Sequence, residues 1–181
     1  HNAELVETPQ PTFKTVLKML RVHQWLKNVL IAVPVVLSHE YANLGMIGAC
    51  LLAFVSFSAS ASAVYILNDF FDLGLDRQHA TKRNRPFASG LLSMKFGLVS
   101  VFILLAVSFA TALLLPPLFM AALGAYLLAT TAYSLSIKRM LLLDVLMLAG
   151  LYTMRILAGA AATGMDISFW LLAFSTFFFL S

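Results

Sequence analysis

The sequence contains few charged residues and a single cysteine. Only 11% of its 181 residues are charged, 61% are hydrophobic, and the mean hydropathy is +0.90. This composition excludes an ordinary soluble domain, in which about 25% of residues are charged. It also lacks the continuous basic face that nucleic-acid binding requires. Cys50 allows no disulfide within the chain, and no Cys/His set has the spacing of a zinc site, so we predict that Cys50 packs in the core.

The chain does contain several long apolar runs. About 20 apolar residues span a bilayer core of about 30 Å, so the sequence predicts an all-α, polytopic transmembrane bundle in a lipid bilayer. The stretch SFSASASA (56–63) alternates as a strand does, but an open strand cannot lie in lipid. We therefore predict a helix whose small residues place it at the centre of the bundle. About six spans are expected, the last one cut short: 28–37, 44–67, 96–115, 118–137, 141–162 and one that starts near 167.

Three regions are expected along the chain. Residues 1–12 are polar and resemble a linker or ragged terminus, and residues 28–181 form the transmembrane domain, incomplete at its C-terminus. Residues 13–27 have a basic face and an apolar face, which is typical of a helix lying at a membrane interface. The alternative is an ordinary amphipathic helix on a soluble neighbour. The chain begins with His1 and ends in an apolar run, so we interpret it as a fragment.

Lys and Arg residues alternate strictly between the two ends of the predicted spans. They precede the first span, separate the second from the third, and separate the fourth from the fifth, whereas the other three connections contain none. The positive-inside rule then predicts that the N-terminus and the segment 68–86 face the cytoplasm. The chain is expected in the inner, or cytoplasmic, membrane as a multi-pass protein.

The segment NDFFDLGLDRQHATKRNRP (68–86) is the most charged part of the sequence. Asn68, Asp72 and Asp76 recur every four residues, with Asp69 one step aside, so a helix would hold all four within an arc of about 100°. Carboxylates near a membrane boundary are costly to place, which indicates a bound divalent cation. Their hard oxygen ligands favour Mg²⁺ over Zn²⁺.

Cations follow these acids directly. Mg²⁺ in proteins keeps several waters and takes phosphate oxygens from a substrate. Arg77, Lys82, Arg83 and Arg85 can grip those phosphates, and arginine can do so with two hydrogen bonds. The segment therefore predicts a diphosphate-binding site at the cytoplasmic membrane face. The alternative is that the acids pair with the neighbouring bases in a solvated loop.

Residues 133–155 contain further candidates for the binding site, and each has two interpretations. Asp144, Lys138 and Arg139 form either an interfacial ion pair or part of the phosphate site. Arg155 lies deeper in its span, where a cation faces the bundle interior and serves either a site or a structural ion pair. Tyr133 is either an interfacial anchor or a substrate contact. The candidate substrate contacts are Lys27, Tyr133, Asp144 and Arg155, and Lys138 and Arg139 join the candidate diphosphate ligands.

Three stretches resemble the UbiA-type intramembrane prenyltransferase superfamily. The segment 68–86 matches its first signature, N-D-x-x-D-x-x-x-D-R followed by K-R-x-R-P, and residues 133–160 are also similar. The stretch RVHQWLKN (21–28) is similar to the start of the branch that includes decaprenyl-phosphate phosphoribosyltransferases. Together the matches cover nearly the whole chain from Arg21.

The resemblance implies about nine helices around a lipid-open cavity and a Mg²⁺-dependent transfer reaction. It also implies a second Asp-rich segment after the sixth helix, so this chain would supply half of the metal site and be inactive alone. The implied substrates are a diphosphate-bearing compound and a polyprenyl lipid, as in transfer from 5-phosphoribosyl diphosphate to polyprenyl phosphate. The alternative reaction is prenyl transfer from a polyprenyl diphosphate to an aromatic acceptor.

Other membrane functions fit the sequence less well than a transferase does. A transporter would show broken helices and internal repeats near the midplane, and neither is evident. A structural membrane subunit would not need aligned acids. A phospholipid synthase of the CDP-alcohol type would contain D-G-x-x-A-R, which is absent from the sequence.

Overall fold

Helices make up all the regular secondary structure in the part of the chain that the structure describes. The computed structural model describes residues 11–40, 42–135, 141–166 and 169–180. The predicted all-α class is confirmed. In chain order, the elements are α1 (Phe13–Leu20), a 3₁₀ helix (Val22–Ala32), α2 (Val33–Leu37), α3 (Leu44–Phe71), α4 (Leu73–Gln78), a short 3₁₀ turn (Lys82–Asn84), α5 (Met94–Ala112), α6 (Pro117–Leu135), α7 (Leu141–Thr163) and α8 (Phe169–Leu180).

Four of the described helices are long and apolar enough to cross a bilayer. They are α3, α5 and the apolar parts of α6 and α7, and they correspond to the second to fifth predicted spans. The first and sixth predicted spans are shorter apolar stretches, Val22–Leu37 and Leu171–Leu180. Large apolar side chains such as Phe102 (66% exposed) and Leu128 (75% exposed) cover the outer surface. Soluble proteins rarely expose so much apolar surface, whereas acyl chains accommodate it.

Helix α3 lies at the centre, as its small residues predict. It packs against α5, α6, α7 and the 3₁₀ helix. On the side facing α5, the Ser56 hydroxyl donates to the Ser108 carbonyl at 2.9 Å, and the Ser60 and Ser108 hydroxyls share a hydrogen bond of 2.6 Å. All three serines are fully buried, so each hydroxyl finds its partner within the protein, as lipid requires.

The other side of α3 is fastened to the 3₁₀ helix. The indole N–H of Trp25 donates to the Ser62 hydroxyl at 3.0 Å, and the Asn28 amide donates to the Ser58 hydroxyl at 3.0 Å. A 3₁₀ helix has three residues per turn, so Trp25, Asn28 and Ile31 form one row that faces the bundle. This row explains why 3₁₀ geometry suits the first membrane segment.

The expected helix over residues 13–27 is divided in two. Helix α1 ends at Leu20, and Arg21 adopts a left-handed conformation with φ of 50° before the 3₁₀ helix begins. This turn brings the Arg21 guanidinium over the Tyr65 ring, 4.9 Å from its centroid, and into contact with Asp69. The interfacial position of α1 stays a prediction.

The 3₁₀ helix also approaches α7 closely. A Cβ atom on Gly159 would lie 1.9 Å from the carbonyl oxygen of Ile31, so only glycine fits there. A small residue at this position lets the two backbones touch, which is a common device in membrane bundles. The contact positions α7 against the segment that carries Lys27 and Asn28.

The segment after α3 folds back onto the bundle. Phe87 is buried and packs edge-on against Phe70, with ring centroids 4.8 Å apart. The Lys18 ammonium on α1 donates to the Asn84 carbonyl at 3.0 Å. The first two predicted cation clusters therefore lie at the same end of the bundle, as the charge alternation requires.

Candidate functional site

Two of the four predicted metal ligands are buried in ion pairs. Asp69 and Asp76 are 3% and 2% exposed. Arg85 donates to Asp76 at 2.6 Å and to Asp69 at 3.2 Å, and Arg21 donates to Asp69 at 2.5 Å. The structure thus brings Arg85, a predicted phosphate ligand, onto the carboxylates instead of leaving it exposed. The alternative for these residues was that the acids pair with neighbouring bases in a solvated loop. The structure shows such pairs, but they form a buried cluster.

Asn68 and Asp72 belong to the same segment as Asp69 and Asp76 but are less buried. The Asp72 amide donates to the Asn68 carbonyl at 2.9 Å and the Asp76 amide donates to the Asp72 carbonyl at 2.8 Å, so helical spacing continues through the junction of α3 and α4. Asn68 and Asp72 are both half-buried, unlike Asp69 and Asp76. They are the two predicted ligands with accessible surface.

The donor set of Asn68 and Asp72 fits a hard divalent cation only in part. Amide and carboxylate oxygens suit Mg²⁺, which completes its shell with waters and substrate phosphates. Within the described residues, no group of three or more His, Cys, Asp or Glu side chains could hold a metal ion. Asn68 and Asp72 by themselves therefore do not make a complete Mg²⁺ site in the described part of the chain.

The remaining predicted phosphate ligands differ in placement. Arg77 at the end of α4 and Lys82 and Arg83 on the short 3₁₀ turn are exposed at the end of the bundle where Asn68 lies. Lys138 and Arg139 lie outside the described residues. Asp144 belongs to α7, but its side chain also lies outside what the structure describes.

A cavity of about 90 Å³ lies beside Asn68 and between the helices. It brings together Asn68, Lys27, Tyr133 and Arg155, four candidates that the sequence places on four different elements. A volume of this size holds several waters or a small anionic group. Its other lining residues are Tyr65, Tyr126, Thr130, Ser134, Leu148, Leu151 and Tyr152.

Sequence reasoning identified Tyr133 but missed the other three tyrosines of this cavity, Tyr65, Tyr126 and Tyr152. The Arg155 guanidinium lies 5.3 Å from the centroid of Tyr126 and 5.5 Å from that of Tyr152, and the Lys27 ammonium lies 5.7 Å from Tyr152. Aromatic faces at these distances attract cations. A signal was present, since Tyr65 precedes Asn68 by three residues and Tyr152 precedes Arg155 by three, which places each pair on one helical face.

The charge of the cavity indicates what it can bind. Its described lining contains two cations, Lys27 and Arg155, and no carboxylate. Asn68, whose amide oxygen is a predicted metal ligand, lines the same cavity. An anion with phosphate oxygens satisfies both features.

Comparison with known proteins identifies the family. Residues 29–181 match the model of the UbiA prenyltransferase family. The chain belongs to this family. Together with its apolar helices, membership makes it an integral membrane protein.

Relatives and solved structures agree with that membership. The chain is 42% identical to the protein y4nM of Sinorhizobium fredii, over 91% of this chain and 32% of that protein. It is 32% identical to a decaprenyl-phosphate phosphoribosyltransferase of Mycobacterium tuberculosis, over 96% of this chain and 59% of that protein. A UbiA homologue from Archaeoglobus fulgidus, solved with DMAPP and Mg²⁺, has the same fold: the TM-score is 0.72 at 20% identity, over 92% of this chain and 60% of that one. The chain thus spans between a third and three fifths of the length of these proteins.

Proposed function

We propose that this chain is part of a Mg²⁺-dependent membrane transferase that uses a diphosphate-bearing substrate and a polyprenyl lipid. The cavity carries the proposal, because a metal-type ligand, Asn68, lines it together with two cations, Lys27 and Arg155. A structural subunit or a transporter does not require a metal ligand and two cations around one cavity.

Asn68 and Asp72 would hold the metal, and the second Asp-rich segment implied by the family would complete the site. When bound, Mg²⁺ neutralises the charge that develops on a departing diphosphate. Arg85 and Arg21 do not compete for the substrate in this proposal. They neutralise Asp69 and Asp76, which fixes the turn that carries Asn68 and Asp72.

The exposed cations Arg77, Lys82 and Arg83 are proposed to bind the diphosphate oxygens. They follow the metal ligands in sequence and lie at the same end of the bundle. Their charge remains available because none of them is in an ion pair within the described part of the chain. Lys138 and Arg139 are proposed for the same role.

Within the family we favour transfer of a phosphoribosyl group to a polyprenyl phosphate. The stretch 21–28, which resembles that branch, contributes directly to the cavity: Lys27 lines it and Asn28 accepts a hydrogen bond from Arg155 at 2.9 Å. A relative with this named activity is 32% identical over most of the chain. Because cation clusters mark one end of the bundle, we propose that the site opens to the cytoplasmic face of the inner membrane.

The deciding experiment supplies two substrate pairs to the full-length protein in membranes. One reaction contains 5-phosphoribosyl diphosphate and a polyprenyl phosphate, and the other contains a prenyl diphosphate and an aromatic acceptor. We expect Mg²⁺-dependent transfer in the first. Transfer only in the second would select prenyl transfer to an aromatic acceptor, and transfer in neither would reject a transferase in favour of a transporter or structural subunit.

A further inference from the structure

Arg155 is a buried cation without a carboxylate partner in the described part of the chain. It lies within α7 and is 6% exposed. The ion pairs of the described residues involve Arg21 and Arg85, not Arg155. A charged side chain inside a membrane domain is costly unless it pairs or serves a ligand.

The contacts of Arg155 leave part of its guanidinium for a ligand. Its Nε donates to Asn28 at 2.9 Å, one Nη to the Leu151 carbonyl at 2.5 Å, and the other Nη to the Tyr126 hydroxyl at 3.4 Å. All three acceptors are neutral. An arginine has five N–H donors, so two remain, one on each terminal nitrogen. This is the fork that binds carboxylates and phosphates.

The hydrogen bonds of Asn28 hold the Arg155 guanidinium in place. Asn28 is 1% exposed, and its amide group accepts from Arg155 and donates to the Ser58 hydroxyl of α3 at 3.0 Å. The Asn28 side chain therefore has both its oxygen and its nitrogen engaged. The chain Ser58–Asn28–Arg155 links three elements and fixes the direction of the guanidinium.

A second cation lines the same cavity. Lys27 precedes Asn28 in the 3₁₀ helix, and its ammonium lies over the same Tyr152 ring as the Arg155 guanidinium. Two cations over the same aromatic ring repel each other, and an anion bound between them reduces that repulsion. A phosphate monoester, with its double negative charge and several acceptor oxygens, fits this demand.

We propose that Arg155 binds a phosphate monoester inside the cavity, with Lys27 as a second cation and Asn28 as the positioning residue. This proposal rests on the proposed function, whose phosphoribosyl reaction involves two such groups: the head of the polyprenyl phosphate and the 5-phosphate of the donor. This site lies in the same cavity as Asn68, next to the diphosphate site that begins at Asn68 and Asp72.

The test measures binding to the full-length protein in detergent, without turnover. Three probes are compared: decaprenyl phosphate, ribose 5-phosphate, and inorganic diphosphate with Mg²⁺. In Arg155→Lys, which keeps the charge and loses the fork, we expect at least one monoester to bind about tenfold more weakly, as the loss of a charge-assisted hydrogen bond predicts. Diphosphate binding should change less than about twofold. The monoester that weakens identifies the source of the group.

Asn28→Asp provides a second variant of nearly the same size. Its carboxylate would accept from the Arg155 Nε and neutralise the guanidinium, so monoester binding should also fall about tenfold while the melting temperature stays close to that of the wild type. A purely structural role for Asn28 predicts the opposite pattern. Lys95→Gln, which removes an exposed cation at the start of α5, is the matched control and should leave all three affinities unchanged.

Three results would overturn the proposal: a wild-type protein that binds neither monoester, unchanged monoester binding in both variants, or an equal loss of diphosphate binding, which would assign Arg155 to the diphosphate site. The transferase assay is separate. Monoester binding that depends on Arg155, in a protein that transfers no phosphoribosyl group, would reject the phosphoribosyl reaction of the proposed function and leave the monoester site intact.

Discussion

Arg85 donates to Asp76 at 2.6 Å across the turn that separates α4 from the folded-back segment. The same Nη1 also donates to Asp69 Oδ1, the oxygen that accepts from Arg21. Four charges thus join the residue after α1, helices α3 and α4, and the loop after α4 at one end of the bundle. Because both carboxylates are almost fully buried, removing a cation leaves an uncompensated negative charge.

Arg85→Ala should therefore destabilise the protein by about 3 kcal/mol, the scale for breaking a buried ion pair. The measurement is thermal unfolding of the full-length protein in detergent. Lys82→Ala, in the same segment but exposed, is the control and should change stability by less than about 0.5 kcal/mol. Equal melting temperatures for the two variants would show that the ion-pair cluster does not stabilise this end of the bundle.

Asp72→Ala should abolish transfer in the full-length protein while folding and membrane insertion remain intact. Loss of a metal ligand removes electrostatic stabilisation of the leaving group, which costs about a hundredfold in rate or more. Transfer is measured with and without added Mg²⁺, and melting temperature serves as the folding control. Near wild-type activity in both Asp72→Ala and Asp76→Ala would contradict the metal site.

The two variants are also expected to differ in kind. Asp76 is buried against Arg85, whereas Asp72 is half-buried. Asp76→Ala should lower the melting temperature as well as activity, because it leaves Arg85 partly unpaired. Asp72→Ala should lower activity with a smaller loss of melting temperature than Asp76→Ala, because its carboxylate is only half-buried.

A cysteine placed at the exposed position 80 should react with a thiol reagent supplied from the cytoplasmic side. Ala80 lies in the segment that connects α4 to the short 3₁₀ turn. The experiment uses full-length protein from which other cysteines, including Cys50, have been replaced. Labelling only from the opposite side would reverse the proposed orientation of the site.

Gly159→Ala should destabilise the bundle by about 1–3 kcal/mol, because its Cβ would overlap the Ile31 carbonyl oxygen. Gly150→Ala is the matched control on the same helix, since a Cβ there meets nothing within 4 Å. That control should be neutral or slightly stabilising, because alanine favours a helix over glycine by up to about 1 kcal/mol. Equal stability of the two variants would show that the backbone contact does not constrain α7.

Much of the fold follows from the sequence alone. Hydropathy and the bilayer width predict the four long spans, and small residues in 56–63 predict the central helix. The division at Arg21 was not predicted, because a left-handed residue followed by a 3₁₀ helix depends on what the Arg21 side chain contacts. Periodicity describes faces of helices, and it carries no information on such a tertiary contact.

The candidate site was predicted in part. The helical spacing of Asn68, Asp72 and Asp76 is present, but only Asn68 lines the cavity. That Arg85 turns back to Asp69 and Asp76 depends on the path of the loop from 79 to 92, which the sequence pattern does not determine. Of the missed tyrosines, Tyr65 and Tyr152 could have been found from their spacing to Asn68 and Arg155, whereas Tyr126 has no such spacing.

The serine hydroxyls of α3 have a consequence for motion in the bilayer. They fasten the helix to α5 on one side and to the 3₁₀ helix on the other. A small rotation of α3 would break bonds on both sides at once, in a medium with no water to replace them. We therefore expect α3 to act as a stationary wall. Entry and exit of a long lipid chain would then depend on neighbours such as α6, which in the described residues meets α3 through tilted aromatic rings and other apolar contacts.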